Sequence, residues 1–253
     1  MHGKQGKYSK VFFGLLTGYG VAILLSFACD CRSRREGNEE RYDELFRAEY
    51  SDALTFLDCN LWIADSATRW GVDPDVVRAT VFPELLRYSA LQDQIEISCL
   101  KTLYVQFGEK YANFSIGRFQ IKPSFAEKLE RLWMHDTVKR SPDVRFDTTT
   151  SARARKERIN RLETLEGQVR YICLFMRLLP ELHPGIDRLD AEARLRFYAT
   201  AYNYSFTAEY DAIQVEAYRK RFFISMFAYP GMKYYNYSDI VLFYYSNLNN
   251  HVP

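Results

Sequence analysis

One glutamate of this 253-residue chain lies in surroundings that suit acid–base chemistry. Glu84 stands in an apolar helical run, residues 81–89, which reads VFPELLRYS. Burial in such a run disfavours the charged form of a carboxyl, so its pKa rises and it keeps a proton at neutral pH. A general acid can be made in this way. The alternative is an ordinary helix-face carboxylate, in water or in a salt bridge with Arg87.

Two further stretches follow Glu84 and carry short polar and aromatic patterns. Residues 113–126 read NFSIGRFQIKPSFA, and residues 201–205 read AYNYS. Taken alone, Tyr202 and Asn203 are better explained by core packing and a helix C-cap. Their position after the glutamate and after the glycine-containing stretch is what gives them a second interpretation.

The three stretches together resemble the bacterial lytic transglycosylases of the soluble-lytic-transglycosylase and goose-type lysozyme-like superfamily. That family has Gly-Leu-Met-Gln-Ile-x-Pro-x-Thr-Ala in the wall of its sugar cleft and Ala-Tyr-Asn-Ala-Gly farther along the chain. The resemblance covers roughly residues 70–206, and the three patterns occur in the family's order. The first pattern is matched in unbroken register, with identity at Gly117, Gln120, Ile121, Pro123 and Ala126.

The resemblance implies cleavage of the β-1,4 bond between N-acetylmuramic acid and N-acetylglucosamine in peptidoglycan. Glu84 would protonate the glycosidic oxygen and then deprotonate the muramic acid 6-hydroxyl, which closes a 1,6-anhydro ring. Tyr202 would hydrogen-bond near Glu84, and a glycine in the wall would let the backbone approach the sugar closely. The glycan-binding residues implied in this way are Ser115, Gly117, Phe119, Gln120, Tyr202 and Asn203.

Several features depart from the family pattern. Leu85 stands where the family commonly has Ser, and Ser205 stands where it has Gly. The separation of Glu84 from Gln120 is also longer than usual, which makes residues 91–110 an insertion with its own helix. These departures leave open a catalytically weak or inactive peptidoglycan-binding envelope protein.

A hydrolytic muramidase is a second enzymatic alternative. Such an enzyme needs a base that activates water, and the insertion offers Asp93, Glu96 and Glu109. An envelope scaffold held by an N-terminal anchor is the simplest alternative. Neither a cofactor nor a metal is expected for any of these functions, since the four histidines are scattered without metal-site spacing.

The N-terminus predicts export. Three lysines precede an 18-residue apolar stretch, residues 11–28, and a basic region followed by an apolar segment is typical of a secretion signal. The stretch reaches the ~18 residues at which a membrane-spanning helix becomes possible. Cys29 follows it as in a loose lipobox and is the candidate for lipidation. We therefore expect a periplasmic protein, tethered to the membrane through this segment.

The predicted organisation is a signal peptide or anchor over residues 1–31, a short tether over 32–40 and one domain over 41–253. A length of 253 residues with 47% hydrophobic residues can bury a sizeable core. Apolar residues recur at three- and four-residue intervals in several segments, so the fold class is mainly α, with a lysozyme-like domain implied by the resemblance. The clearest segments are residues 41–69, 162–179 and 190–204.

Local signals set some helix ends. Asp73 and Pro74 predict a helix start, and Pro83 predicts a break in that helix beside Glu84. Gly108 predicts the C-terminal end of the inserted helix. The aromatic stretch over residues 234–245 receives no role.

Charge excludes one class of partner. The formal net charge of +2 is too small to argue for nucleic acid. Between Lys139 and Arg161, eight basic residues face three acidic ones. This stretch is explained by a solvated helix face or by attraction to an anionic envelope polymer. The expected partner is the glycan strand of peptidoglycan.

Cys31, Cys59, Cys99 and Cys173 could pair in an oxidising periplasm, and isolated thiols are the alternative.

Overall fold

The computed structural model of the chain describes residues 40–89, 95–135, 144–224 and 231–250. These residues are mainly helical, and within them β-structure is limited to two isolated bridges. The mainly α fold class is therefore confirmed. A lysozyme-like topology remains a prediction, and the expected signal or anchor segment lies outside the described residues.

Helices account for most of the chain from Tyr42 onward, which forms one compact unit. A short 3₁₀ turn, Pro184–Arg188, links the eighth helix to the ninth. In chain order the helices of the described residues are α1 (Tyr42–Leu45), α2 (Arg47–Cys59), α3 (Trp62–Arg69), α4 (Pro74–Ser89), α5 (Ile95–Phe107), α6 (Pro123–His135), α7 (Ala152–Glu163), α8 (Leu165–Leu182), α9 (Ala191–Asn203), α10 (Tyr210–Glu216) and α11 (Tyr237–Asn250).

Helix α4 is the centre of the fold. It starts as predicted, with Pro74 as its first residue and the Asp73 carboxylate accepting a hydrogen bond from the Asp75 N–H at 2.9 Å. Its apolar residues face all directions, and a helix of this kind is one that becomes buried. Helices α2, α3, α9 and α11 pack around it. The buried apolar residues are Val77, Ala79, Val81, Phe82, Leu85 and Leu86.

Two predictions of helix boundaries are wrong. Pro83 lies inside α4, which continues to Ser89 without the expected break. A proline removes one backbone donor, here the one for the Ala79 carbonyl, and the tight packing around α4 holds the remaining turns in place. The single helix predicted over residues 41–69 is divided into α1, α2 and α3.

The inserted helix has the predicted end. Helix α5 finishes at Phe107, and Gly108 follows with φ at +85°, the left-handed conformation that favours glycine. The Gly108 N–H donates to the Tyr104 carbonyl at 2.8 Å. Helix α5 packs on α7, which in turn packs on α8.

A buried network of charges joins α5, α6, α7 and α8. The Glu130 carboxylate accepts from Arg158 Nε at 2.8 Å, from Arg161 Nη2 at 2.7 Å and from the Tyr171 hydroxyl. Arg158 also donates to the Tyr104 hydroxyl at 2.6 Å. Both arginines belong to the basic stretch of the sequence. The expectation of a solvated face is therefore wrong for them, because a buried carboxylate on α6 faces them.

The cysteines that the structure describes are free thiols. Cys59 and Cys99 are exposed, and Cys173 is buried. Cys29 and Cys31 lie outside the described residues, so lipidation stays a prediction. None of the helices in the described ranges is long and apolar enough to cross a membrane.

Candidate functional site

Glu84 lies on α4, and its exposed fraction is only 5%. Burial raises the pKa of its carboxyl to about 7, and this desolvation exceeds the opposing effects of the Arg87 and Lys122 charges and of a hydrogen bond from Asn203. Its Oε2 atom has no hydrogen-bond partner among the described residues. The group can therefore hold or release a proton near neutral pH.

The expectation of a water-exposed Glu84 is wrong, because nearly all of its surface is covered. The alternative of a salt bridge between Glu84 and Arg87 is supported only in part. Arg87 acts on Glu84 through its charge. Its guanidinium lies over aromatic rings, 4.8 Å from the centroid of Phe223 and 5.8 Å from that of Phe222. Arg87 thus moderates the pKa of Glu84 without displacing desolvation as the dominant effect.

The end of α9 brings Tyr202 and Asn203 to the glutamate. The Asn203 side chain lies close enough to the Glu84 carboxyl to lower its pKa. The Tyr202 hydroxyl donates to the Phe119 carbonyl at 2.6 Å, across 83 positions of sequence. Burial and the nearby Glu84 charge hold the pKa of Tyr202 well above its usual value, so it remains a donor. The three sequence patterns therefore meet at one place.

Aromatic packing fixes the direction of the Tyr202 side chain. Its ring lies 5.4 Å from that of Phe125 and 5.6 Å from that of Phe175, measured between centroids.

Helix α9 itself begins with Asp190 as its cap, which accepts from the Ala193 N–H at 2.8 Å. The predicted helix over residues 190–204 is confirmed in this form.

The glycine-containing stretch forms a tight turn. Ile116 and Ile121 exchange both backbone hydrogen bonds, at 3.0 and 3.1 Å, and close the turn between them. Gly117 has φ at +71°, and Gln120 has φ at +52°, an uncommon value for a residue with a side chain. The turn is also joined to the end of α4, because the Arg118 guanidinium lies 4.3 Å from the centroid of the Tyr88 ring.

The predicted glycan-binding residues of the turn have different surroundings. Ser115 and Gln120 are half-buried, and the Gln120 amide donates to the Gly117 carbonyl at 2.8 Å. The Phe119 side chain is fully buried in the core. It cannot reach a ligand in this conformation, and its carbonyl serves instead as the acceptor for Tyr202. A role of Phe119 in glycan binding is therefore limited to its backbone.

Gln168 on α8 holds the turn and was not found by sequence reasoning. Its Oε1 accepts from the Phe119 N–H at 2.9 Å, and its Nε2 donates to the Leu162 carbonyl at 2.8 Å. A Cβ atom at Gly117 would lie 1.9 Å from Gln168 Nε2. The glycine is therefore required both by its positive φ and by the close approach of this amide. No local pattern in the sequence links the two residues.

Tyr237 is the second residue that the sequence analysis missed. It opens α11, and its hydroxyl donates to the Thr80 carbonyl of α4 at 2.8 Å. Burial raises its pKa well above the usual value, and the negative charge of the Glu84 carboxylate acts in the same direction. Tyr237 thus lies within electrostatic reach of the glutamate. Its position in the unassigned aromatic stretch, just before an apolar helical run, was the available signal.

The structure also describes the two residues that depart from the family pattern, Leu85 and Ser205. Leu85 is 3% exposed and packs in the core. Ser205 is half-buried, with its hydroxyl 3.4 Å from that of Thr207. Of the candidate bases for hydrolysis, Glu109 is exposed in the turn after α5. Asp93 and the side chain of Glu96 lie outside the described residues.

Comparisons of the chain with protein families, with curated proteins and with solved structures find no match. Functional inference therefore depends on the site itself. The site consists of one buried carboxyl with a pKa of about 7, the nearby Asn203 amide, two tyrosines whose pKa values lie well above the usual value, and the Gly117 turn beside them. Such an arrangement can give a proton to a ligand oxygen and take one back.

Proposed function

We propose that this protein is a peptidoglycan lytic transglycosylase, with Glu84 as its single general acid and base. The observation that carries the proposal is the meeting of the three sequence patterns at one buried carboxyl, Glu84, whose pKa burial raises to about 7. Protonation of a glycosidic oxygen needs a carboxyl that still carries a proton in a substantial fraction of molecules at neutral pH, and a pKa of about 7 provides it. Tyr202 and the Gly117 turn beside it support the motif resemblance, because they bring all three patterns to this carboxyl.

In this mechanism Glu84 donates its proton to the glycosidic oxygen between the muramic acid and glucosamine units. The bond to the anomeric carbon breaks through an oxocarbenium-like transition state. The Glu84 carboxylate then takes the proton of the 6-hydroxyl, whose oxygen attacks the anomeric carbon and closes the 1,6-anhydro ring. Asn203 orients the carboxyl, and its hydrogen bond stabilises the carboxylate between the two steps.

The test is digestion of purified peptidoglycan by the full chain and by Glu84→Gln, followed by mass spectrometry of the released fragments. We expect anhydro-muropeptides from the wild type and a loss of about 10²- to 10⁴-fold in rate for the variant. Asp75→Gln, which alters an exposed carboxyl in the first turn of the same helix, is the matched control and should retain activity. Reducing ends in place of anhydro ends would identify a hydrolase.

A second candidate is a peptidoglycan-binding protein without catalysis. The observation that favours it is the 5% exposure of Glu84, which leaves little room for a glycosidic oxygen to reach the carboxyl. The half-buried Gln120 amide, bonded to its own turn, points in the same direction. If the wild type and Glu84→Gln both bind intact peptidoglycan and neither releases fragments, this binding function is favoured over catalysis.

A further inference from the structure

A small recess adjoins the Glu84 site on the side of the C-terminal segment. It has a cavity volume of about 20 Å³, enough for one water molecule or one small polar group and too little for a sugar ring. Two of its lining residues, Asn203 and Tyr237, also act on Glu84. The recess therefore lies next to the candidate site. The lining residues used below are Tyr204, Glu216, Arg219 and Arg221.

Two arginines of the recess share one carboxylate. Arg219 Nη1 and Arg221 Nη1 each lie 3.1 Å from an oxygen of Glu216, one on Oε2 and the other on Oε1. Glu216 is 10% exposed, while the arginine side chains are 49% and 59% exposed. Two positive charges against one negative charge leave this cluster with a net charge of +1. Each guanidinium has five donors in a planar fork, so each has donors beyond the one that contacts Glu216.

We infer that Arg219 and Arg221 form a subsite for a carboxylate of the peptide stem carried by the muramic acid unit that binds at Glu84. The inference rests on the proposed function, which supplies the glycan and its stem. Glu216 holds the two guanidinium groups side by side, and guanidinium groups bind carboxylates through paired N–H donors.

The fit of a stem carboxylate follows from the size and polarity of the recess. The recess has room for a small polar group beside the two cations, and Tyr204, which also lines it, is 49% exposed. The stem is attached to the muramic acid whose 6-hydroxyl reacts, so a subsite beside Asn203, which also lies close to Glu84, would fix that sugar relative to the acid. The recess would therefore contribute to substrate orientation.

The test measures binding without turnover, in the Glu84→Gln background of the full chain in mild detergent. The ligand is a soluble glycan strand with uncrosslinked stems, compared with the same strand whose carboxylates are capped as methylamides. We expect capping to weaken binding about fivefold, as for a partly exposed ion pair. The difference should shrink as salt is raised from about 50 mM to about 500 mM.

Arg219→Gln and Arg221→Gln should each reduce the difference between native and capped strands. Arg153→Gln, an exposed arginine on α7, is the control and should retain it. Equal affinity for both strands in the parent protein, or the same selectivity in all three variants, would overturn the subsite. Strands from which the stems have been removed, so that only the lactyl carboxylate remains, should bind with the same affinity as the capped strands. If they bind as tightly as the native strands, the subsite is also overturned. These results do not depend on turnover, so failure of the proposed catalysis is detected separately in the digestion experiment.

Discussion

Two buried carboxyls of this protein have opposite surroundings. Glu130 is fully buried between α6, α7 and α8, where two guanidinium groups and a tyrosine hydroxyl donate to it. Glu84 is nearly as buried, yet only the nearby Asn203 amide and the charges of Arg87 and Lys122 oppose its desolvation, and its Oε2 has no partner among the described residues. The first carboxyl is held by direct ion pairs. The second is left with a pKa of about 7.

The difference shows that burial alone does not give a carboxyl a chemical role. A buried charge with paired, hydrogen-bonded cations is part of the packing, and removing one partner leaves the others uncompensated. A buried carboxyl without such pairing neutralises by taking a proton, which makes it available for proton transfer. The number and charge of the partners therefore separate the structural glutamate from the candidate acid.

The largest effect that tests this comparison is expected for Glu130→Gln. The substitution removes the negative charge that faces Arg158 and Arg161, and breaking a buried pair of this kind costs about 3–5 kcal/mol. Urea unfolding of the full chain measures the loss. Glu157→Gln, which alters an exposed ion pair with Arg153 on α7, should leave the midpoint unchanged. A Glu130 variant as stable as the wild type would end the contrast between the two carboxyls.

The second effect is the pH dependence that Glu84 imposes on stability. Because the folded-state pKa is raised from 4.5 to about 7, the folded protein binds more protons than the unfolded chain between these values. Stability associated with Glu84 is therefore complete below about pH 4.5 and is lost as pH rises through about 7. The corresponding free energy is about 3 kcal/mol.

Glu84→Gln should remove this dependence. Unfolding free energies of wild type and variant are measured at pH 5 and pH 8, and the wild type should lose about 2.5 kcal/mol more than the variant over that interval. Other titrating groups are common to both proteins and cancel in the difference. Identical pH profiles would mean that the pKa of Glu84 is not raised in the folded protein.

A smaller effect is expected at Gln168, which positions the turn beside Glu84. Gln168→Leu leaves the buried Phe119 N–H and the Leu162 carbonyl without partners, at a cost of about 2 kcal/mol. If the turn is the wall of the glycan cleft, KM should rise more than kcat falls, since the acid itself stays in place. The exposed Gln106→Leu serves as the control. A fall in kcat alone would place Gln168 outside substrate binding.

The smallest effect is expected for Tyr237→Phe. The change deletes one hydrogen bond, from the tyrosine hydroxyl to the Thr80 carbonyl, and should lower the unfolding free energy by about 1 kcal/mol. Tyr234→Phe, at a ring that is 44% exposed, is the matched control. Thermal unfolding compares the two. Equal melting temperatures for both variants would show that Tyr237 does not fix α11 to the Glu84 helix.

Residues that are close together in the sequence were sufficient to predict several features of the fold and of the site. A capping aspartate and a proline define the start of α4, and a glycine defines the end of α5. The apolar run around Glu84 predicted its burial, because residues apolar on all sides of a helix exclude water. The end of α9 at Asn203 followed from helical periodicity. Each of these features depends on residues within a few positions of one another.

The tertiary structure alone decided which distant groups meet. Tyr237 and Thr80 are 157 positions apart, and Gln168 and Phe119 are 49 positions apart. It also turned two arginines of a basic stretch inward to Glu130 and kept α4 continuous through Pro83. A hydrogen bond or ion pair between such residues depends on how helices pack, and the local propensities that a sequence displays carry no record of that packing. The sequence therefore indicated that Glu84 is buried, and the fold decided which charged and polar groups lie close enough to oppose the effect of that burial on its pKa.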